Sequence, residues 1–209
     1  MPLWCRSRLH RSPDMKQLLR LRRFLHAPAP AAPPNERCEF CGLALQEPHS
    51  HVVDLEQRRI VCSCRPCYLL FQNPGAAGGR FRSAGDRCER LTDAGLDLDT
   101  CEMPIGMAFF IRNSKSGRVT AFYPSPAGAM ESGLDVTTIL PIDADIEALL
   151  VYRRHGIEEI WIVPVDVCYE LVGRIRRRWR GFDGGAEVHA EIEHFFANLD
   201  EHRSAVCQL

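Results

Sequence analysis

Two Cys-x-x-Cys pairs, Cys38/Cys41 and Cys64/Cys67, carry the clearest chemistry in this sequence, with 22 residues between them. Each pair can present two thiolates to one tetrahedral ion, because the tight turn inside it aims backbone amides at the sulfurs. Gly42, directly after Cys41, supplies the backbone freedom such a knuckle needs. Four thiolates form a soft donor set, and zinc is the first expectation for it. Iron, as a rubredoxin-like or iron–sulfur centre, uses the same ligands and stays open as the alternative.

The cluster has one thiol too many. Cys62 turns the second pair into Cys-Ser-Cys-x-x-Cys. It could replace Cys64 as a ligand, serve as a fifth group or remain free. If the strand runs on, alternation puts Cys62 and Cys64 on the same side. The tighter Cys-x-x-Cys turn favours Cys64 as the ligand. His49 and His51 are further donors, although a lone His on a strand is more often packed or exposed than ligating.

The elements that must position these thiols follow from the intervening segment. Residues 51–54 and 58–61 read as two strands joined through 55–57, which returns the second pair to the first in zinc-ribbon fashion. After Cys67, Tyr68-Leu69-Leu70-Phe71 reads as an apolar docking strand. The metal module therefore spans 36–72. Before it, residues 1–35 are basic and end in an Ala/Pro run, the composition of a disordered extension. After it, 73–101 opens with Asn-Pro-Gly and Gly-Gly and reads as a linker with one short element at most.

Residues 102–203 carry the main domain. The runs 105–111 and 118–123 form a predicted hairpin around a turn at 113–117. Asp143 or Asp145 is expected to cap a helix that turns Ile146, Leu149 and Leu150 inward. A buried strand at 160–165 leads to a helix with Val167, Leu171, Ile175 and Trp179 on one stripe, supported by Glu170 four residues before Arg174. A last helix sets Val188, Ile192, Phe195, Phe196 and Leu199 on one face. The expected fold is α+β: a zinc-ribbon-like knuckle followed by a mixed domain in the order β-β-α-β-α-α.

Bulk properties exclude some function classes. A formal net charge of -1 does not suit a uniformly basic nucleic-acid coat. All but two of the 26 basic residues are Arg (Lys16 and Lys115 are the exceptions), so composition discounts the cluster Arg174, Arg176, Arg177, Arg178 and Arg180. No charge-free run reaches the about 20 residues that a membrane span needs. Arg22-Arg23 lacks the apolar core of an export signal behind it, so a cytoplasmic, reducing location is expected, with the remaining cysteines as ordinary thiols. No Ser–His–Asp order or carboxylate pair stands out. His155, His189, His194 and His202 fall on expected helices or their ends and read as exposed.

Two resemblances bear on function. His-Ser-His-Val-Val-Asp between two Cys-x-x-Cys pairs resembles HNH endonucleases, but the further metal-binding His or Asn expected just past the second pair is replaced by the apolar 68–71 run. The strings CEFCGLALQEPHSHVVDLEQRRIVCSCRPCYLLF, PIGMAFF, GRVTAFYPSPAGAMES and IVPVDVCYELVGRIRRRWRGFDGGAE, over about 36–200, resemble an uncharacterised family. Its members are encoded beside NiFe-hydrogenase operons of the actinobacterial high-affinity type. That resemblance implies a non-catalytic accessory of hydrogenase assembly, maturation or complex formation, with a hydrogenase subunit or maturation factor as partner.

Overall fold

A computed structural model describes residues 36–93, 95, 103–133, 136 and 140–201. The extension expected at 1–35 lies outside them. The described residues form one compact α+β unit built on two antiparallel sheets.

The small sheet holds the cysteine module. Strand β1 (Ser50–Asp54) pairs antiparallel with β2 (Arg59–Ser63), with Ser50 opposite Ser63 and Asp54 opposite Arg59. The hairpin expected between the cysteine pairs is therefore present. Its turn is locked by Asp54, whose buried carboxylate accepts from the Glu56 and Gln57 amides at 3.0 Å each. The same carboxylate takes Arg80 Nη2 at 2.7 Å. Cys64 then ends the strand, and Pro66 opens a short helix, α1 (Arg65–Leu70). The apolar run after Cys67 is thus a helix rather than the expected docking strand. Proline in the first turn lacks only an amide that a helix leaves unpaired anyway, and Tyr68 is the side chain this helix buries.

The stretch 73–101 is more than a linker. It carries a 3-10 turn (Ala76–Gly79), β3 (Phe81–Ser83) on the free side of β1, and β4 (Glu89–Leu91) on the edge of the second sheet. Three-residue strands are too short for periodicity to reveal.

The large sheet has the order β4-β9-β8-β5-β6-β7, with β5 (Met107–Arg112), β6 (Val119–Ser125), β7 (Gly128–Glu131), β8 (Glu147–Arg154) and β9 (Ile157–Pro164). The predicted β5–β6 hairpin is found. The helix expected from Asp143 or Asp145 is not, because that segment is strand β8. Asp143 instead pairs with Arg82 at 2.7 Å, and Asp145 accepts the Ser114 amide. Strand β8 lies in the middle of the sheet with Glu147 through Tyr152 buried, so the alternation that marks a half-exposed strand is missing. Nor does the sheet stop at Pro124, which stays in register with Ala129 as the chain turns into β7.

Both faces of the large sheet are covered. On one, Phe109, Leu150, Trp161 and Val163 pack against α2 (Val165–Arg178) and α3 (Gly185–Glu201). The expected stripes are buried as Val167, Leu171 and Ile175 on α2 and Val188, Ile192, Phe195, Phe196 and Leu199 on α3, while Trp179 stands just past the end of α2 and is half-buried. The Glu170–Arg174 pair forms, and Arg178 meets Glu191 of α3 at 2.7 Å. On the other face, Phe110, Leu149, Val151 and Ile162 are covered by Leu140, Ile142 and Met103. A smaller cluster of Val53, Ala84, Ile146 and Val165 binds the two sheets together.

Candidate metal centre

The first knuckle begins where Arg37 bridges to Ala44 and folds the chain over itself. The Cys38 amide donates to Leu43 O at 2.8 Å, and the Gly42 amide donates to Cys38 O at 2.8 Å. This closed turn demands a left-handed residue after Cys41, and Gly42 provides it with φ +75°. The second knuckle is the start of α1, where the Tyr68 amide donates to Cys64 O at 2.9 Å. The Glu39 amide donates to Cys62 O at 3.0 Å, and the Glu39 carboxylate accepts the Cys62 amide at 3.1 Å. These two bonds fasten the first knuckle to the end of β2.

The result brings Cys38, Cys41, Cys64 and Cys67 together, with their four sulfurs all within 4.8 Å of one another. The Cys41 and Cys64 sulfurs are 3.6 Å apart. Cys38 and Cys64 are buried, Cys67 half-buried and Cys41 exposed, so the cluster sits at the surface with its inner side closed. Burial alone would raise the Cys38 thiol. Backbone amides of Cys64, Cys41 and Phe40 outweigh it and hold the group at about 6. Burial pushes Cys67 well up, and contact with the other three thiols adds to the rise. At Cys41 the Leu43 amide favours the thiolate, but the Cys38 and Cys64 thiols oppose it and prevail. Four thiols so placed cannot all ionise on each other's account, and a divalent cation among them removes that conflict. The residues therefore fit a metal ion, with donors drawn from both knuckles.

Cys62 does not join this group. Its sulfur instead lies within 4.8 Å of the donor atoms of His49 and His51. The pleat explains the separation. Cys62 is directly opposite His51 in the β1–β2 ladder, so their side chains share one face, while the chain leaves the strand and turns into α1 straight after Cys64. Burial, with the Glu36, Glu39 and Glu47 carboxylates, raises the Cys62 thiol. The histidines weighed as further donors thus stand beside the four thiols, in a group with Cys62.

Of the other histidines, His155 and His194 are exposed as expected, although His155 lies in the β8–β9 turn rather than on a helix, and His194 pairs with Asn198. His189 is half-buried, with Nδ1 shielded from solvent and lacking a hydrogen bond. His202 lies outside the described residues. Beside the module runs a cleft of about 700 Å³, lined by Leu45, Pro48, His49, Cys64, Tyr68 and Asp166 among others. Sequence reading missed Asp166 here. Its carboxylate accepts the Val167 amide and also meets His51 Nδ1 at 2.9 Å.

No helix among the described residues is long and apolar enough to cross a membrane. A family of unknown function, DUF5947, matches residues 37–203. No curated protein and no solved structure matches the chain.

Proposed function

We propose that this chain, which belongs to the DUF5947 family of unknown function, is a non-catalytic metal-binding accessory protein whose Cys38, Cys41, Cys64 and Cys67 hold one zinc ion. The observation that carries this reading is the closeness of the four sulfurs, all within 4.8 Å of one another. Four protein ligands complete a tetrahedral shell and leave no position for substrate, which is the arrangement of a structural rather than a catalytic zinc. The ion would supply cross-linking of the two knuckles. The protein would do the rest, with Gly42 shaping the first turn, the amides on Cys38 stabilising a thiolate, and the Asp54–Arg80 pair fixing the hairpin between the knuckles.

A partner protein completes the reading. Exposed apolar side chains follow each pair of ligands: Leu43 after Cys41, and Leu69 and Leu70 after Cys67. Such side chains suit a surface that another chain covers. The sequence resemblance to chains encoded beside NiFe-hydrogenase operons makes a hydrogenase subunit or maturation factor the partner to test. A cytoplasmic location is part of the same proposal.

The second reading is iron at the same four thiols, favoured by their softness. Anaerobic purification with elemental analysis and an absorption spectrum separates the two. Zinc and a colourless protein are expected, whereas bound iron with visible absorption would replace the zinc reading. Co-purification from cells expressing the hydrogenase tests the partner, and failure of every hydrogenase subunit and maturation factor to follow the protein would remove that context.

A further inference from the structure

We propose that His49, His51 and Cys62 form a second metal site, distinct from the four-thiol centre, which takes a borderline divalent transition-metal ion such as Zn²⁺, Co²⁺ or Ni²⁺. Strand geometry builds it. His49 lies at the entry to β1, and His51 follows two residues later, the spacing that returns a side chain to the same face of a strand. Cys62 stands directly opposite His51 on β2. The neighbouring pair, Val52 opposite Val61, points the other way into the apolar cluster beneath Tyr68. The pleat therefore sorts three donors onto one face and the core residues onto the other.

Two observations at this site point to a ligand. The His49 side chain is only 7% exposed, and neither of its ring nitrogens has a hydrogen-bond partner. A buried imidazole left in that state is costly unless something occupies its lone pair. Carboxylate oxygens of Glu36 and Glu47 lie 3.4 and 3.6 Å from the His49 nitrogens, outside hydrogen-bonding geometry, in a group that shares only His49 with the other two donors. Glu36, Glu47 and His49 also bring donor atoms within 4.8 Å of one another.

The second observation is the state of His51. Its Nδ1 meets the Asp166 Oδ2 at 2.9 Å, and Asp166 is itself only 8% exposed. A carboxylate can only accept this bond, so the proton sits on Nδ1 and the lone pair of Nε2 is left for a ligand. Carboxylate–histidine–metal arrangements orient their imidazoles in the same way. Asp166 is a positioning residue in this account. Two imidazoles and one thiolate make a mixed set softer than a calcium or magnesium site and harder than four thiolates.

Cobalt titration of the full-length protein, stripped of metal and kept reduced, tests the site. The wild type is expected to bind two equivalents. One should give the spectrum of a four-thiolate centre, and the other should give bands at shorter wavelength from mixed nitrogen, oxygen and sulfur ligands. The double variant His49→Ala/Cys62→Ser should bind one equivalent and keep only the four-thiolate spectrum. Asp166→Asn should weaken the mixed site by about 10- to 100-fold and leave the other unchanged. That milder variant, with the wild-type stoichiometry, decides the matter even where the double variant fails to fold. A single equivalent with purely four-thiolate bands in the wild type would overturn the proposal, as would two equivalents in the double variant. One equivalent with only the mixed-donor bands would uphold this site and contradict the four-thiol centre, so the two assignments fail separately.

Discussion

Removing one of four thiolates leaves an open and weakly held ion, so Cys38→Ser and Cys67→Ser are each expected to lose one equivalent of metal. Elemental analysis of the two variants checks this, and full occupancy in both would contradict the ligand set. Cys64→Ser should empty the same centre, whereas Cys62→Ser should leave it filled, because the ladder sets Cys62 beside His51. The four clustered cysteines and their spacing could be read directly from the sequence. The place of Cys62 could not, because it depends on whether the strand continues past Cys64, and Pro66 starts a helix there. Asp54 offers a prediction in pH. Its hydrogen bond to Arg80 is the largest influence on it and, with the Gln57 and Glu56 amides, outweighs burial and lowers its carboxyl from 3.8 to about 2. A carboxyl with a depressed folded-state value stabilises the fold above its unfolded value, and that contribution fades as pH falls from about 4 to about 2. Asp54→Asn should therefore cost about 1–3 kcal/mol at neutral pH, and denaturant melts should show the gap to wild type closing across that acid window.

Among the elements, the chain entering β5 runs close against β8 at Gly106. The residue has φ +72°, and a Cβ there would lie 2.5 Å from the Arg153 carbonyl oxygen. The same strands are tied by the Arg153 amide donating to Gly106 O at 2.7 Å, so neither backbone can easily withdraw. Gly106→Ala should destabilise the protein by about 1–3 kcal/mol, measurable as a lower midpoint of chemical unfolding. No periodicity in the sequence marks this contact. Strand β6 and the helices α2 and α3 were legible because each has one buried and one wetter face, and β5 because its apolar run leads straight into the turn before β6. Strand β8 was not, since burial on both faces erases the period and leaves a short apolar run that also fits a helix. Strands β3 and β4 escaped notice for a different reason: three residues are too few to carry a pattern, and their pairing with β1 and β9 is set by distant chain.

At the scale of the whole molecule, the cysteine module and the large sheet are joined by few groups. Among the described residues these include the cluster of Val53, Ala84, Ile146 and Val165, the His51–Asp166 bond, and Arg82, which pairs with Asp143 and donates to the Ala144 carbonyl. The large sheet has its own apolar layers on both faces, while the small sheet's own cluster is Val52, Val61 and Tyr68 with the partly buried Phe40, Phe71 and Phe81. Chelation should therefore loosen β1–β3 first and spare β5, β8 and β9. Amide hydrogen exchange with and without chelator reads this out, and equal loss of protection in both sheets would argue for one inseparable folding unit. The central claim is that the four thiols share one ion. X-ray absorption at the zinc edge, on the His49→Ala/Cys62→Ser variant so that only this centre contributes, tests it most directly. Zinc with a shell of four sulfurs at about 2.3 Å is expected; a shell dominated by nitrogen and oxygen would contradict a shared ion, and iron in place of zinc would contradict its identity.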